Sequence, residues 1–225
     1  VDELAERGAK AIGFDIIFAE QSLRAELDSR QLSELRALSV NADVPEIRNE
    51  LTERLEGLRP ESSDLLFASA IEKAGNVFLA SVFYADAQDV VQNPGVEASW
   101  DEAIKIQSAL SKSPLSLATG TGHLKTFFNA TVPFPELAKA PAGIGHINLH
   151  PDSDGTARRF LPAAVFNNKP YLSFPLRIAA FALDVPADEI KMGEEAMSIG
   201  DAVIPLLADG SAFIPYQCGR TVKQR

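Results

Sequence analysis

Residues Asp64 to Phe83 read DLLFASAIEKAGNVFLASVF. Phe67, Ala70, Ile71 and Ala74 recur three and four apart, which puts them on one face of a helix capped by Asp64, and Gly75 stands where a helix C-terminus favours glycine. Directly behind it, Asn76 to Phe83 is an apolar run of strand length, of the sort covered on both faces. Upstream, Val1, Leu4, Ala5 and Gly8 keep helical spacing and lead into a second such run, Ala11 to Phe18. Strand, helix with one apolar face, strand is a right-handed βαβ crossover, so the core is expected to be a sheet with helices against it. The first residue is Val1 rather than Met, and the strand that should precede the opening helix is absent. The chain is therefore expected to be a piece of a longer protein.

Between these units, Glu20 to Ser63 is crowded with charge, and its leucines fall three or four apart in places. Two amphipathic helices broken near Asn41 to Pro45 account for it, as a solvated insertion (20–63) within a single domain spanning 1–225; a partner-binding arm is the functional alternative. Asp86 to Pro94 reads as loop, and Ser99-Trp100-Asp101-Glu102 has capping-box spacing ahead of a helix through Leu110. Ser113 to Val132 carries no assignable pattern. Pro133, Pro135 and Pro141 punctuate the approach to the next distinctive stretch.

That stretch, Gly145 to Pro162, reads GHINLHPDSDGTARRFLP. Extended runs flank Pro151, which presets its φ, and Asp154-Gly155, which tolerates positive φ, so the segment is expected to form a β-hairpin. Its tip and flanks carry His146, His150, Asp152, Asp154, Arg158 and Arg159. Asn167-Asn168-Lys169-Pro170 then turns the chain. Ser173 is placed to cap a helix with Pro175 in its first turn, burying Phe174, Ile178, Phe181 and Ala182. In the tail, Ala202 to Leu206 and Ser211 to Tyr216 read as short antiparallel strands, with Pro205 and Pro215 suited to edges. The expected fold is α/β: a mixed central β-sheet flanked by helices (a βαβ core), C-terminal antiparallel hairpins and a charged helical insertion.

Composition narrows the function classes. With 225 residues, 46% of them hydrophobic, the chain can bury a real core. A formal charge of −10 argues against general nucleic-acid binding and against a polybasic membrane patch. Cys218 is the only cysteine, so an intrachain disulfide and a cysteine-based zinc site are both excluded. No apolar run reaches the ~18 residues that span a bilayer.

Several residues invite chemistry. Asp15 stands inside an apolar run, where a carboxylate must be paired or hydrogen-bonded; pairing with Arg158 is the structural reading, a ligand contact at a strand's carboxyl end the functional one. Asp152 and Asp154 could reach one hard cation, but the downstream Glu of a calcium hand is missing, so turn chemistry is preferred and no metal site is assigned. His146 and His150 share a face only if the strand stays regular through Pro151. Arg158 and Arg159 should point to opposite faces of a strand, one pairing with Asp15 or Asp152, with a carboxylate-ligand clamp as the alternative. His123 and Trp100 have no constellation around them. There is no Ser-His-Asp context, P-loop or dinucleotide fingerprint, so no cofactor is expected.

Four stretches together resemble the CHASE2 family of extracytoplasmic bacterial sensor domains: LAERGAKAIGFDIIF (Leu4–Phe18), DLLFASAIEKAGNVFLA (Asp64–Ala80), GHINLHPDSDGTARR (Gly145–Arg159), and the Tyr171–Phe181 helix entry with the Ile204–Tyr216 hairpin. The most specific part is Gly-His-x-Asn followed by Asp-x-Asp-Gly and Arg158-Arg159. The resemblance implies a periplasmic portion of a cytoplasmic-membrane receptor, attached to its own transmembrane helices and to a cytoplasmic nucleotide cyclase, histidine kinase, Ser/Thr kinase or diguanylate cyclase output domain. The expectation is a non-catalytic sensor for a small-molecule ligand or physical cue, forming a weak homodimer, with Asp15, His146, Asn148, Asp152, Asp154, Arg158 and Arg159 as candidate ligand-binding residues. The rival is a soluble α/β metal-dependent hydrolase using Asp15, His146, Asp152 and Asp154. A third possibility is an interaction module built on the 20–63 arm.

Overall fold

The computed structural model describes residues 1–20, 63–85, 124–186 and 189–216, with residues 33, 37, 109 and 110 singly. The insertion expected over 20–63, the helix expected from Ser99, and Trp100, His123 and Cys218 lie outside the described residues, apart from these isolated positions and the insertion's ends.

The chain opens with α1 (Asp2–Glu6) and enters β1 (Ile12–Phe14). Helix α2 (Ser63–Ala74) closes at Gly75, whose φ of +69° is a left-handed value that glycine adopts without a Cβ penalty and whose N–H reaches the Ile71 carbonyl at 3.1 Å. Asp64 lies inside the first turn of α2 rather than outside it as a cap. Strand β2 (Val77–Tyr84) then runs parallel to β1 with Ile12 opposite Val77, which is the expected strand–helix–strand unit. Strands β3 (Thr126–Phe127) and β4 (Asn129–Thr131) follow, then the single turn α3 (Pro135–Ala138) and strand β5 (Gly143–His146). Central β2 pairs in parallel with β1 and β5, and antiparallel with β4.

The continuous apolar character of β2 follows from its cover. Val77, Leu79 and Phe83 pack into one core with Ala68 and Ile71 of α2 and Leu137 of α3. Phe78 and Ala80, pointing the other way, meet Phe174 and Ile178 of a later helix. A strand buried on both faces has no use for polar alternation, so no period of two shows in its sequence.

Beyond the core come β6 (Leu149–His150), β7 (Arg159–Phe160), β8 (Ala163–Phe166), β9 (Lys169–Leu172), α4 (Phe174–Ala182), β10 (Ile190–Met192), β11 (Ala196–Ile199), β12 (Ala202–Pro205) and β13 (Ala212–Phe213). Three small sheets hold these strands: β3-β8-β9, β6-β7-β13 and β10-β11-β12. The β8–β9 hairpin turns on Asn167 and Asn168, both at positive φ (48° and 58°), the two-residue loop whose twist matches its strands. The fold is α/β with a mixed sheet, flanking helices and antiparallel hairpins in the C-terminal half.

Four local expectations change. The run around Ile144 does not continue into one hairpin arm: β5 joins the central sheet, and only Leu149–His150 pairs antiparallel with Arg159–Phe160. Strands β12 and β13 do not pair with each other; β12 joins β11, and β13 joins β7. Ser173 occupies the N-cap of α4 but makes no side-chain cap hydrogen bond. Phe181 is 38% exposed, although its ring contacts that of Phe78 at 5.0 Å. Each depends on which distant segment arrives to cover a residue, which local spacing does not encode.

Candidate functional site

A cleft of about 480 Å³ opens off the carboxyl ends of β1 and β5. Ile147, Leu149, Phe160, Phe174, Pro175 and Ile178 give it an apolar wall. Its polar residues are Asp15, His146, Asn148 and Ser173. Parallel strands in open α/β sheets place their crevice at this end, and a mostly apolar concavity with a few convergent polar groups is the form that small-molecule sites take.

Asp15 follows directly on β1 and is exposed, contrary to the expectation of a carboxylate buried inside a strand. The strand stops at Phe14, so Asp15 keeps its hydration and has no need of Arg158, which pairs elsewhere. His146 ends β5 and is fully buried. Its ring lies 5.4 Å from that of Phe83, and neither Nδ1 nor Nε2 has a hydrogen-bond partner. Burial alone lowers its pKa from 6.5 to about 3, so the imidazole is neutral at pH 7. Ser173, bridged to His146 through the backbone, carries a buried Oγ that is likewise unpartnered. Nearby Ser81 is satisfied, donating to the Gly145 carbonyl at 3.2 Å.

Asn148 has a structural task. Its Oδ1 accepts from the Phe83 N–H (2.9 Å) and its Nδ2 donates to the Phe83 carbonyl (2.6 Å). The side-chain amide thus stands in for the next residue of a paired strand, just where β5 leaves β2. Replacing it with Ala orphans both backbone groups of Phe83. The expected cost is about 2 kcal/mol in urea unfolding, with Asn148→Asp no better because the carboxylate cannot donate.

The remaining candidates gather elsewhere, on the β6–β7 connection. Gly155 takes φ +78° and donates its N–H to the Asp152 carbonyl at 2.8 Å, while Asp154 Oδ1 accepts the Thr156 N–H at 3.0 Å. Arg158 reaches both oxygens of Asp154 (3.0 and 2.8 Å) and Oδ2 of Asp152 (3.0 Å). Arg159 donates to Oδ1 of Asp152 (3.0 Å) and to Oδ2 of Asp209 (3.2 Å). The two arginines were expected on opposite faces; both converge on Asp152, because Arg158 precedes β7 and is not bound by its alternation. These are exposed or half-exposed pairs that pin the connection's shape and add little stability.

Electrostatics follows from the pairing. The hydrogen bond from Arg158 is the main reason the Asp154 carboxyl is held down at about 2, with the Thr156 amide next. The Asp152 carboxyl is also lowered, by Arg158 first and Arg159 second. A depressed carboxylate favours the folded state above its ordinary pKa and loses that contribution as pH falls toward 2. Carbon-detected NMR should place the Asp154 titration near pH 2, and Arg158→Ala should return it toward the ordinary carboxylate range.

Two of the seven candidates, Asp15 and His146, thus line the cleft as free polar residues; Asn148 lines it while bound to Phe83; four belong to the ion-paired connection. His150 sits in β6, in a different sheet from His146. Among the described residues no group of three or more His, Cys, Asp or Glu side chains is arranged to hold a metal ion. The aspartates of the hydrolase alternative are split between the cleft and a guanidinium-neutralised network, leaving that alternative no assembled centre. Ser173 and Ile178 entered the sequence reading only as parts of a helix. No local signal could tie them to Asp15, since α4 and β1 meet only in the tertiary structure.

An α/β domain with a mostly apolar, ligand-sized crevice at the carboxyl ends of its parallel strands has the form that small-molecule binding sites take. The CHASE2 domain family model matches residues 1–225, the whole chain, and the protein belongs to the CHASE2 family. CHASE2 domains are extracellular sensor domains of signalling receptors and are not catalytic. No curated protein and no solved structure matches the chain. Among the described residues no helix is long and apolar enough to cross a membrane.

Proposed function

We propose that this chain is the periplasmic sensing portion of a bacterial receptor anchored in the cytoplasmic membrane, whose full-length protein carries a nucleotide cyclase or a histidine or Ser/Thr kinase as its output domain. The family match across residues 1–225 carries the reading. The cleft at the end of the parallel strands supports it, because its lining comes from the end of β1 and from β5, β6, β7 and α4, segments far apart in the chain. A ligand bound there draws the carboxyl end of β1 and the first turn of α4 together. Signalling then requires that it bind the two states of the receptor unequally; about tenfold preference shifts their balance by ~1.4 kcal/mol. The natural partners are its own transmembrane helices, the output domain and a second copy in a weak homodimer. A net charge of −10 argues against nucleic acid as a partner.

The test is topological. In the full-length protein, a reporter active only outside the cytoplasmic membrane, fused within this domain, should be active, while a cytoplasmic fluorescent reporter at the same point should be dark. The reverse pattern would overturn the reading. Sedimentation of the isolated chain should show a monomer–dimer equilibrium at high micromolar concentration.

A further inference from the structure

Among the described residues that line the cleft, Asp15 alone carries a charge. It stands one residue past the end of β1, exposed, and no cation among the described residues pairs with it. Arg158 is engaged by Asp152 and Asp154, and Arg159 by Asp152 and Asp209. Lys10, just ahead of β1, reaches Asp184 instead. The other polar groups of the lining add no charge of either sign. Asn148 commits its amide to Phe83, while the imidazole of His146 and the hydroxyl of Ser173 are neutral and buried. The rest of the wall is aliphatic and aromatic, and Leu149 stands 54% exposed on it.

We infer that this cleft takes a hydrophobic amine, a small apolar body bearing a single ammonium. The ammonium meets the Asp15 carboxylate at the carboxyl end of β1, and the body lies against Leu149, Phe160 and Ile178. Apolar contact supplies most of the affinity, since an exposed ion pair contributes little by itself. Asp15 supplies the selection. A carboxylic acid of the same shape sets like charges side by side, and an alcohol replaces a charge-assisted hydrogen bond with a neutral one. The chain's net charge of −10 acts in the same direction, drawing cations to the surface and repelling anions. The inference rests on the sensor reading, since it names the class of cue which that reading leaves open.

Calorimetric titration of the 225-residue chain with phenethylamine, phenethyl alcohol and hydrocinnamate tests it. The amine should bind saturably, the alcohol about fivefold more weakly, and the acid more weakly still. Ethanolamine, which keeps the ammonium and loses the apolar body, should bind poorly. Added salt should narrow the gap between amine and alcohol. Asp15→Asn, at an exposed position, should bring the amine down to the alcohol's affinity and leave the alcohol where it was. Leu149→Ser, also at an exposed position, should weaken amine and alcohol by the same factor. Failure of the amine to bind, equal binding of amine and alcohol by the wild-type chain, a preference for the amine that survives Asp15→Asn, or affinities that Leu149→Ser leaves untouched overturns the proposal. The outcomes stay distinct from those of the topological test: failed titrations with a periplasmic reporter sink the ligand alone, and binding with a cytoplasmic reporter sinks the receptor.

Discussion

Acidifying the protein from pH 7 to pH 4 is expected to cost about 3 kcal/mol of stability through His146 alone. In the folded state its imidazole stays neutral until about pH 3, held there by burial. In the unfolded chain it protonates near 6.5. Between those values the unfolded state binds the extra proton, so stability is fully present above 6.5, falls as pH drops, and levels off below 3. Its neighbours carry no charge to compensate: Phe83 presents a ring, Ser81 already donates to Gly145, and Ser173 offers only a neutral hydroxyl. His146→Leu, apolar and of similar bulk, should flatten the slope while costing little at pH 7, because the imidazole makes no hydrogen bond to lose. Urea denaturation at unit pH intervals, read as wild type minus variant, removes the other titrating groups from the comparison. Equal slopes in the two proteins would show that the buried ring finds a proton's worth of stabilisation that the structure does not contain.

Gly145→Ala should be the most damaging small substitution in the central sheet, at about 3 kcal/mol. A Cβ at that position would lie 2.5 Å from Phe174 Cα, 2.7 Å from Phe174 N and 3.1 Å from Ser173 C. All three are backbone, so the strain can be relieved only by lifting the start of α4 off β5. Gly13 gives the control. A Cβ there meets Ile178 Cδ1 at 2.5 Å and Phe174 Cζ at 3.0 Å, the ends of side chains that can turn aside. Gly13→Ala should therefore cost less than half as much. Because α4 also walls the cleft, Gly145→Ala should degrade the site along with the fold. A Gly145→Ala variant within ~0.5 kcal/mol of wild type would mean that the helix does not rest on the strand this closely.

These two residues show where sequence reading succeeds and where it stops. The β1–α2–β2 unit was legible because its information is local: an apolar helix face at Phe67 and Ile71, a glycine stop at Gly75, and a run too apolar to face water on either side. The turn at Asn167-Asn168 and the Asp154-Gly155 turn were legible for the same reason, since positive φ selects residue types directly. The family signal, too, is carried by the order of residues along the chain.

The cleft has a different origin. Gly145-His146-Ile147-Asn148 offered an extended run, but nothing nearby in sequence decided whether it would flank a hairpin or enter a buried sheet. Contact with β2 settled that, and with it the burial of His146 and the use of Asn148 as a substitute backbone pair. Asp15 looked buried because apolar residues surround it in the chain, whereas β1 ends one residue earlier and leaves it to solvent. The order of residues alone determined an acidic, βαβ-based sensor domain with fixed turns. Only the tertiary structure decided which polar groups share a cavity, because solvation and opposing charge are set by segments that lie far apart in the chain and close together in space.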